Sequence, residues 1–380
     1  MFSYWEQQSF LQYDHIIIGA GIVGLSVGIE LRGRFPKDRI LVLERGFMPT
    51  GASSRNAGFA CMGSLTELLT DLELMNEAAM LQLFAMRKSG LERLRERLGD
   101  RQIDYCENGS YELIDEKAVP ALERMDDLNR LLFPLLGKDA FRRADQRIAD
   151  FGFAAQFTKA LVENTAEGEL DTGKMLRALT DLALQNNIEI KTGVSVQRFE
   201  EQENGVRVFV PDTLRREEWV LQCRKLYLCT NAFTPELLSG EIVKPGRGQV
   251  LLTHVIPGLK FRGIFHMDDG YYYFRELHGR VLFGGGRNLD FETETTTALQ
   301  LNEEIQNKLG ELLRTVILPG TPFEVAQRWS GIMAFGPTKQ PIVKAFSTRI
   351  YGAFRMGGMG LALGSEVAYQ LVHTLLLDEK

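Results

Sequence analysis

Only four cysteines, at positions 61, 106, 223 and 229, occur in 380 residues. They are too few for a disulfide scaffold, and none shows the paired spacing of a zinc site, so a metal is not expected and the usage fits a reducing cytoplasm. The chain also lacks an apolar run long enough to span a bilayer. Glu6 precedes the first apolar run, and Ile16 to Ile18 are followed at once by glycines, so no signal peptide is expected. Peripheral association with a membrane, through a surface assembled from distant segments, stays open. A positive charge excess is missing too: 44 Lys+Arg against 50 Asp+Glu leave a net charge of −6, with no field to attract a phosphate backbone. Nucleic acid is therefore not an expected partner. No internal repeat or low-complexity tract is found, which excludes a solenoid.

What the chain does have is length for two domains and a strong opening pattern. An isoleucine-rich run at 14–18 precedes Gly19-Ala20-Gly21, and Ile22 to Leu31 has helical character. Arg39 to Leu43 then reads as a second buried strand ending at Glu44-Arg45-Gly46, which completes a βαβ unit. Leu65 to Leu98 carries leucines and methionines at helical spacing, a stripe read as core. Residues 105–145 suggest a hairpin around Asn108-Gly109 and a charged helical stretch. Asp171 is placed to cap a helix over Thr172 to Gln185, followed by strands at Ile188 to Lys191, Val194 to Phe199 and Leu221 to Leu228. From Val250 to Phe283, β-branched and aromatic residues with turns at Asp269-Gly270 and His278-Gly279 favour an antiparallel sheet. The tail reads as a strand from Tyr351, a glycine-rich turn, and a helix reaching Leu377. Residues 1–80, 146–240 and 325–380 are assigned to a discontinuous dinucleotide-binding domain, and 81–145 and 241–324 to a substrate domain.

The pattern Gly19-x-Gly21-x-x-Gly24 follows a strand, opens a helix, and is answered 20 residues after Gly24 by Glu44 at the end of the second strand. Gly19 permits the tight turn, Gly21 the approach of a pyrophosphate, and Gly24 close helix–strand packing, while Glu44 accepts from a ribose. A flavin or a nicotinamide dinucleotide satisfies this unit equally.

The octet Gly51-Ala52-Ser53-Ser54-Arg55-Asn56-Ala57-Gly58 resembles the loop after the second strand in the D-amino-acid oxidase superfamily of flavoproteins, which includes glycine and sarcosine oxidases, D-amino-acid dehydrogenases and 2-hydroxyacid dehydrogenases. Asp171-Thr172-Gly173, Cys229-Thr230-Asn231-Ala232, Pro245-Gly246-Arg247-Gly248-Gln249 and Gly357-Gly358-Met359-Gly360 follow in the family's order, so the resemblance covers nearly the whole chain. It implies an α/β fold: a Rossmann-like FAD-binding domain with a second, α+β substrate domain built on an antiparallel sheet. It further implies cofactor contacts from Arg45, Ser53, Arg55, Asn56 and Ala57, and adenine held by the backbone of Val196. The amides of Gly358, Met359 and Gly360, before a helix from Leu361, make an anion-attracting helix N-terminus suited to the charge on reduced flavin. Arg355 is a further candidate for cofactor or ligand, or a cap of that turn. Some relatives attach flavin through a cysteine after a Trp-x-Gly pattern. Here Trp329-Ser330-Gly331 is followed by no cysteine, so the FAD is expected to be non-covalent.

A dehydrogenation of this kind moves a hydride from a substrate α-carbon to flavin N5, and an arginine fork supported by a tyrosine suits the carboxylate of an amino or hydroxy acid. Tyr271, Tyr273 and Arg275 alternate onto one strand face, with His266 and Arg287 nearby, and each has a bland alternative as a sheet residue. Glycine-oxidase-like relatives carry the carboxylate-binding arginine four residues after the tryptophan, where this chain has Met333. The leading expectation is oxidation of an amino acid or secondary amine to an imine and then a keto acid. The alternatives are a 2-hydroxyacid dehydrogenase with His266 as base, and a non-catalytic flavin-binding subunit of a dehydrogenase complex.

Overall fold

The computed structural model describes residues 3–212 and 217–376. The opening run forms strand β1, Gln12–Ile18, and the glycine turn leads into helix α1, Ile22–Arg34. Strand β2, Ile40–Leu43, lies beside β1 in parallel, with His15 opposite Ile40 and Ile18 opposite Leu43. Its four residues are all buried, as a strand covered on both faces requires. The sheet continues through Glu189–Lys191 beyond β2, and through Glu217–Leu228 and Ile350–Phe354 on the other side of β1, all in parallel. Asp171 caps the helix Thr172–Gln185 by accepting from the Lys174 amide at 2.9 Å. The C-terminal helix, Gly360–His373, packs on α1, where a methyl at Gly364 would come within 2.5 Å of the Ile22 side chain. The N-terminal turns of these two helices are thus side by side.

The second sheet has eight strands. Those used below are β3, Ser110–Ile114; β4, Lys244–Thr253; β5, Ile264–Met267; β6, Tyr272–Leu277; β7, Arg280–Gly285; and β8, Val325–Phe335. The turns expected at Asp269-Gly270 and His278-Gly279 connect β5 to β6 and β6 to β7. One face, carrying Tyr272, Phe274, Phe283 and Leu251, packs on Ile305 and Leu309 of the helix Glu303–Leu312. Alternation along each strand therefore commits the other face to the loops of the first sheet.

Several expectations need correction. The segment 65–98 is two helices, Leu65–Leu74 and Glu77–Leu98, because Asn76 caps the second by accepting from the Ala79 amide. No hairpin forms at Asn108-Gly109. The Gly109 carbonyl accepts from the Ile264 amide and the Asn108 amide group donates to Glu169, so the chain docks and enters β3, which runs parallel to β5. The sheet is accordingly mixed, with that one parallel pair named among its ladders. Val194 to Gln197 lies outside the strand, which begins at Arg198, although the Gln197 amide already bonds to the Phe209 carbonyl. β8 and the strand Ala160–Asn164 hydrogen-bond into the second sheet. Leu377 lies outside the described residues. Among the described residues no helix is long and apolar enough to cross a membrane.

Candidate active site

At the nucleotide end the turn is built by close approach. Gly19 has φ +105°, and a methyl there would meet the Cys229 carbonyl oxygen at 2.6 Å, while one at Gly24 would stand 1.8 Å from the Gly19 oxygen. Only glycine fits both, and the result brings β1 and α1 together so that the first helical amides project from the strand end. Glu44 is buried and pre-oriented: one carboxylate oxygen accepts from the Ala20 amide at 3.1 Å and the other from Gly46 at 2.9 Å. The Gly193 and Val194 amides bond to the Gly46 and Glu44 carbonyls, carrying the extended segment with Val196 past this end of β2.

The octet sits against the same helix terminus. Ser53 Oγ accepts from the Ile22 amide at 3.0 Å and faces Gly21, where an added methyl would come within 2.8 Å of it. Asn56 closes the loop: its amide group donates to the Ala52 and Ser53 carbonyls, and its oxygen accepts from the Gly58 amide and the Thr172 hydroxyl. Arg55 donates to the carbonyls of Thr50 and Ser330, so it ties the loop to β8. Arg45 lies over the Phe233 ring at 3.5 Å.

The far end is assembled by register. Residues directly opposite on neighbouring strands share a face, so His266, Tyr273, Gly284, Val250 and Trp329 form one row across β5, β6, β7, β4 and β8. Two residues along, Gly248 faces Gly331; two further, Gly246 faces Met333. Side chains lie over these glycines: added methyls at Gly284, Gly248 and Gly246 would meet Tyr273 at 2.7 Å, Met333 Cε at 3.0 Å, and both Phe335 (2.4 Å) and Arg287 (2.9 Å). Phe59, just after the octet, packs on His266 and Tyr273 with ring centroids 5.3 and 5.5 Å away. The glycine turn closes the site on a third side. Met333 Sδ lies 4.0 Å from where a methyl on Gly358 would stand, and Met359 Sδ is 3.9 Å from Cys61 Sγ. The amides of Gly360 and Leu361 open the C-terminal helix and have no intrahelical acceptor.

Electrostatically the His266–Tyr273 end of this face is neutral. Burial lowers the pKa of His266 against the opposing pull of Glu67, and the imidazole Nε2 has no hydrogen-bond partner among the described residues. Burial pushes the Tyr273 phenol up to about 12. Of the expected arginines, Arg275 is reassigned. Its buried guanidinium donates through Nε and Nη1 to the carbonyls of Ala57, Gly58, Leu170 and Glu276 and lies 3.6 Å from Glu169, so it serves as a tie between segments. Arg355, at φ +66°, donates to the carbonyls of Ile242 and Gln340, both outside its glycine turn. Arg287 is half-buried between Phe335 and Phe291. Tyr271 precedes β6 and is 41% exposed at the rim. Three contributors escaped the sequence reading: Phe59, Thr172, and Asn231, whose side chain accepts from the Arg355 and Met356 amides. Thr172 and Asn231 fall in the quoted motifs, and only their role as clamps was unreadable.

A cradle that any Cβ would fill, an oriented carboxylate at the second strand, and two helix N-termini converging under a glycine-lined sheet fit FAD at both its pyrophosphate and its flavin, and define a flavin-dinucleotide oxidoreductase. Residues 14–374 match the family model described as FAD dependent oxidoreductase (DAO), and the chain belongs to that family. FAD is therefore its cofactor. A glycine oxidase from Geobacillus kaustophilus (strain HTA426) is 36% identical over 119 residues, which span 31% of this chain and only 28% of that protein. The solved glycine oxidase from Geobacillus kaustophilus superposes with a TM-score of 0.77 at 19% identity, over 97% of this chain and 96% of that one. L-proline dehydrogenase from P. horikoshii gives 0.76 at 16%, over 97% and 95%, and L-amino acid deaminase from Proteus vulgaris (with its specific insertion deleted) gives 0.72 at 18%, over 97% and 91%. At these identities the superpositions speak for the fold.

Proposed function

We propose that the protein oxidises an amino acid or related secondary amine at the carbon next to nitrogen, giving an imine that water hydrolyses to a keto acid. Bound FAD, held without a covalent link, supplies the hydride acceptor at N5. Gly19, Gly21, Gly24, Glu44, Ser53 and the amides at Gly358 to Leu361 hold it, with Val196 at the adenine. Arg45, Arg55, Asn56 and Ala57 shape the loop beneath. The chain's own contribution is to orient the substrate C–H bond and exclude water, which the Phe59, Tyr273 and Met333 surface does.

The observation that carries this reading is the neutrality of the His266–Tyr273 end of the site face. An amine that arrives with its nitrogen lone pair free expels hydride without a strong base, and a buried neutral histidine with an uncommitted Nε2 beside a protonated tyrosine suits that nitrogen. The same Nε2 supports a second reading, a 2-hydroxyacid dehydrogenase in which His266 takes the hydroxyl proton. Holoenzyme titrated without oxygen against amino acids, secondary amines and 2-hydroxy acids separates the two by loss of the visible flavin band. Bleaching by amines is expected. Bleaching by hydroxy acids alone overturns the reading, and bleaching by neither leaves a non-catalytic subunit.

A further inference from the structure

Among Arg55, Arg275, Arg287 and Arg355, only Arg287 has no acceptor for its guanidinium. The other three are spent on backbone carbonyls. Among the described residues, Arg287 has a buried Nε without a hydrogen-bond partner, and no ion pair. The nearest acid by charge, Glu294, is taken: its two oxygens accept from Arg247 at 2.6 and 2.9 Å and from Gln249 at 2.9 Å. Burial without a counter-ion costs a cation free energy, and burial already pushes this guanidinium below its ordinary pKa. Two rings offset part of that cost, with Arg287 Cζ at 4.2 Å from the centre of Phe335 and 5.0 Å from that of Phe291.

Its place in the sheet gives the cation a purpose. Met333 occupies the position where the resembling oxidases carry their arginine, and across the β4–β8 ladder its partner is Gly246. An added methyl at Gly246 would strike Arg287 Cζ at 2.9 Å, so the glycine is the opening through which the guanidinium reaches the row of Met333. We infer that Arg287 takes the substrate's carboxylate, supplying from the end of β7 the anchor that β8 lacks. Tyr271, Leu289 and Phe291, each at least 41% exposed, form an apolar rim beside it, which fits a monocarboxylate with an apolar substituent.

This inference borrows from the amine reading only the nature of the reacting group, so its test uses a carboxylate that cannot be oxidised. Propionate, added to the holoenzyme, is expected to perturb the visible flavin spectrum, and propionamide is not. Arg287→Gln should weaken propionate binding about 30- to 100-fold with flavin content and Tm unchanged, Arg287→Lys should recover only part of the loss, and Met333→Arg added to Arg287→Gln should restore it to within about tenfold. Equal propionate binding by wild type and Arg287→Gln, or no binding by wild type, overturns the assignment. The two proposals separate cleanly. Arg287-dependent propionate binding without bleaching by any amine keeps the anchor and removes the amine reading. Bleaching by amines with an unchanged KM in Arg287→Gln does the reverse.

Discussion

The nucleotide end and the sheet end of the site are made from different material. At the first, the working groups are backbone amides and missing side chains, contiguous within Gly19 to Gly24 and completed by Glu44. At the second, they are side chains brought into one row from five strands by ladder register. The first fails through the backbone and tolerates almost nothing; the second is a scaffold of buried polar ties in which most charged groups are structural. The largest effect should therefore come from a single methyl. Gly24→Ala places it 1.8 Å from the Gly19 oxygen, backbone against backbone, and should cost above about 4 kcal/mol. Gly33→Ala, near the other end of the same helix and with nothing within 4 Å, is the matched control. The ratio of visible flavin to protein absorbance after purification should collapse in the first and stay at wild type in the second; a flavin-replete Gly24→Ala would break the contrast.

At the sheet end the sharper question is which arginines are ties. Arg275→Met strips four carbonyls of a donor and leaves Glu169, whose carboxyl burial already pushes up, without its cation. A loss of about 3 kcal/mol is expected in urea unfolding, against less than about 0.5 kcal/mol for the half-buried, unpaired Arg287→Gln. Equal stability of the two variants would erase the distinction between tie and anchor.

The same division explains what the sequence disclosed. The βαβ unit, Glu44, the Asp171 cap and both sheet turns were readable because each depends on neighbours a few residues away. Asn108-Gly109 carries a hairpin signal that tertiary pairing overrides, since β3 finds β5 as a parallel partner. Arg275 and Arg287 are alike in sequence, both cations near a strand end in an aromatic stretch. What separates them is the distant carbonyls of Ala57, Gly58 and Leu170 for one and the glycine at 246 for the other. Phe59 had no periodic signal of its own, and its role follows from where β5 and β6 come to lie.

The segment from Met62 to Thr66, three residues past Phe59, rests on two buried acids. Glu167 accepts from the Met62 and Gly63 amides and the Ser110 hydroxyl, and Glu112 from Ser64 and Thr66. Burial outweighs these bonds and pushes each carboxyl to about 7. A folded-state pKa above the unfolded value means that the native protein holds the proton more tightly. Each acid's contribution is complete below about pH 4.3 and is lost as pH rises through about 7. Glu112→Gln mimics the protonated form at every pH, so its stability relative to wild type should improve by about 2 kcal/mol between pH 5 and pH 7. Urea titrations at the two pH values check this, and a pH-independent difference between the chains would show that the support for this segment does not titrate.

The smallest effect expected returns to the nucleotide end and tests how far its side chain matters beside its backbone. Glu44 bridges the Ala20 and Gly46 amides with its two oxygens, so it braces the cradle in addition to the ribose contact proposed for it. Glu44→Gln keeps one acceptor and replaces the other with a donor that meets an N–H head-on, losing one charge-assisted bond while the glycine geometry survives. FAD affinity should fall about tenfold, which is about 1.4 kcal/mol, with little change in the unfolding of the apoprotein. Titration of apoprotein with FAD measures the first and urea unfolding the second. A loss comparable to that of Gly24→Ala would place the weight of recognition on the carboxylate, and the nucleotide end would then resemble the sheet end in being held by side chains after all.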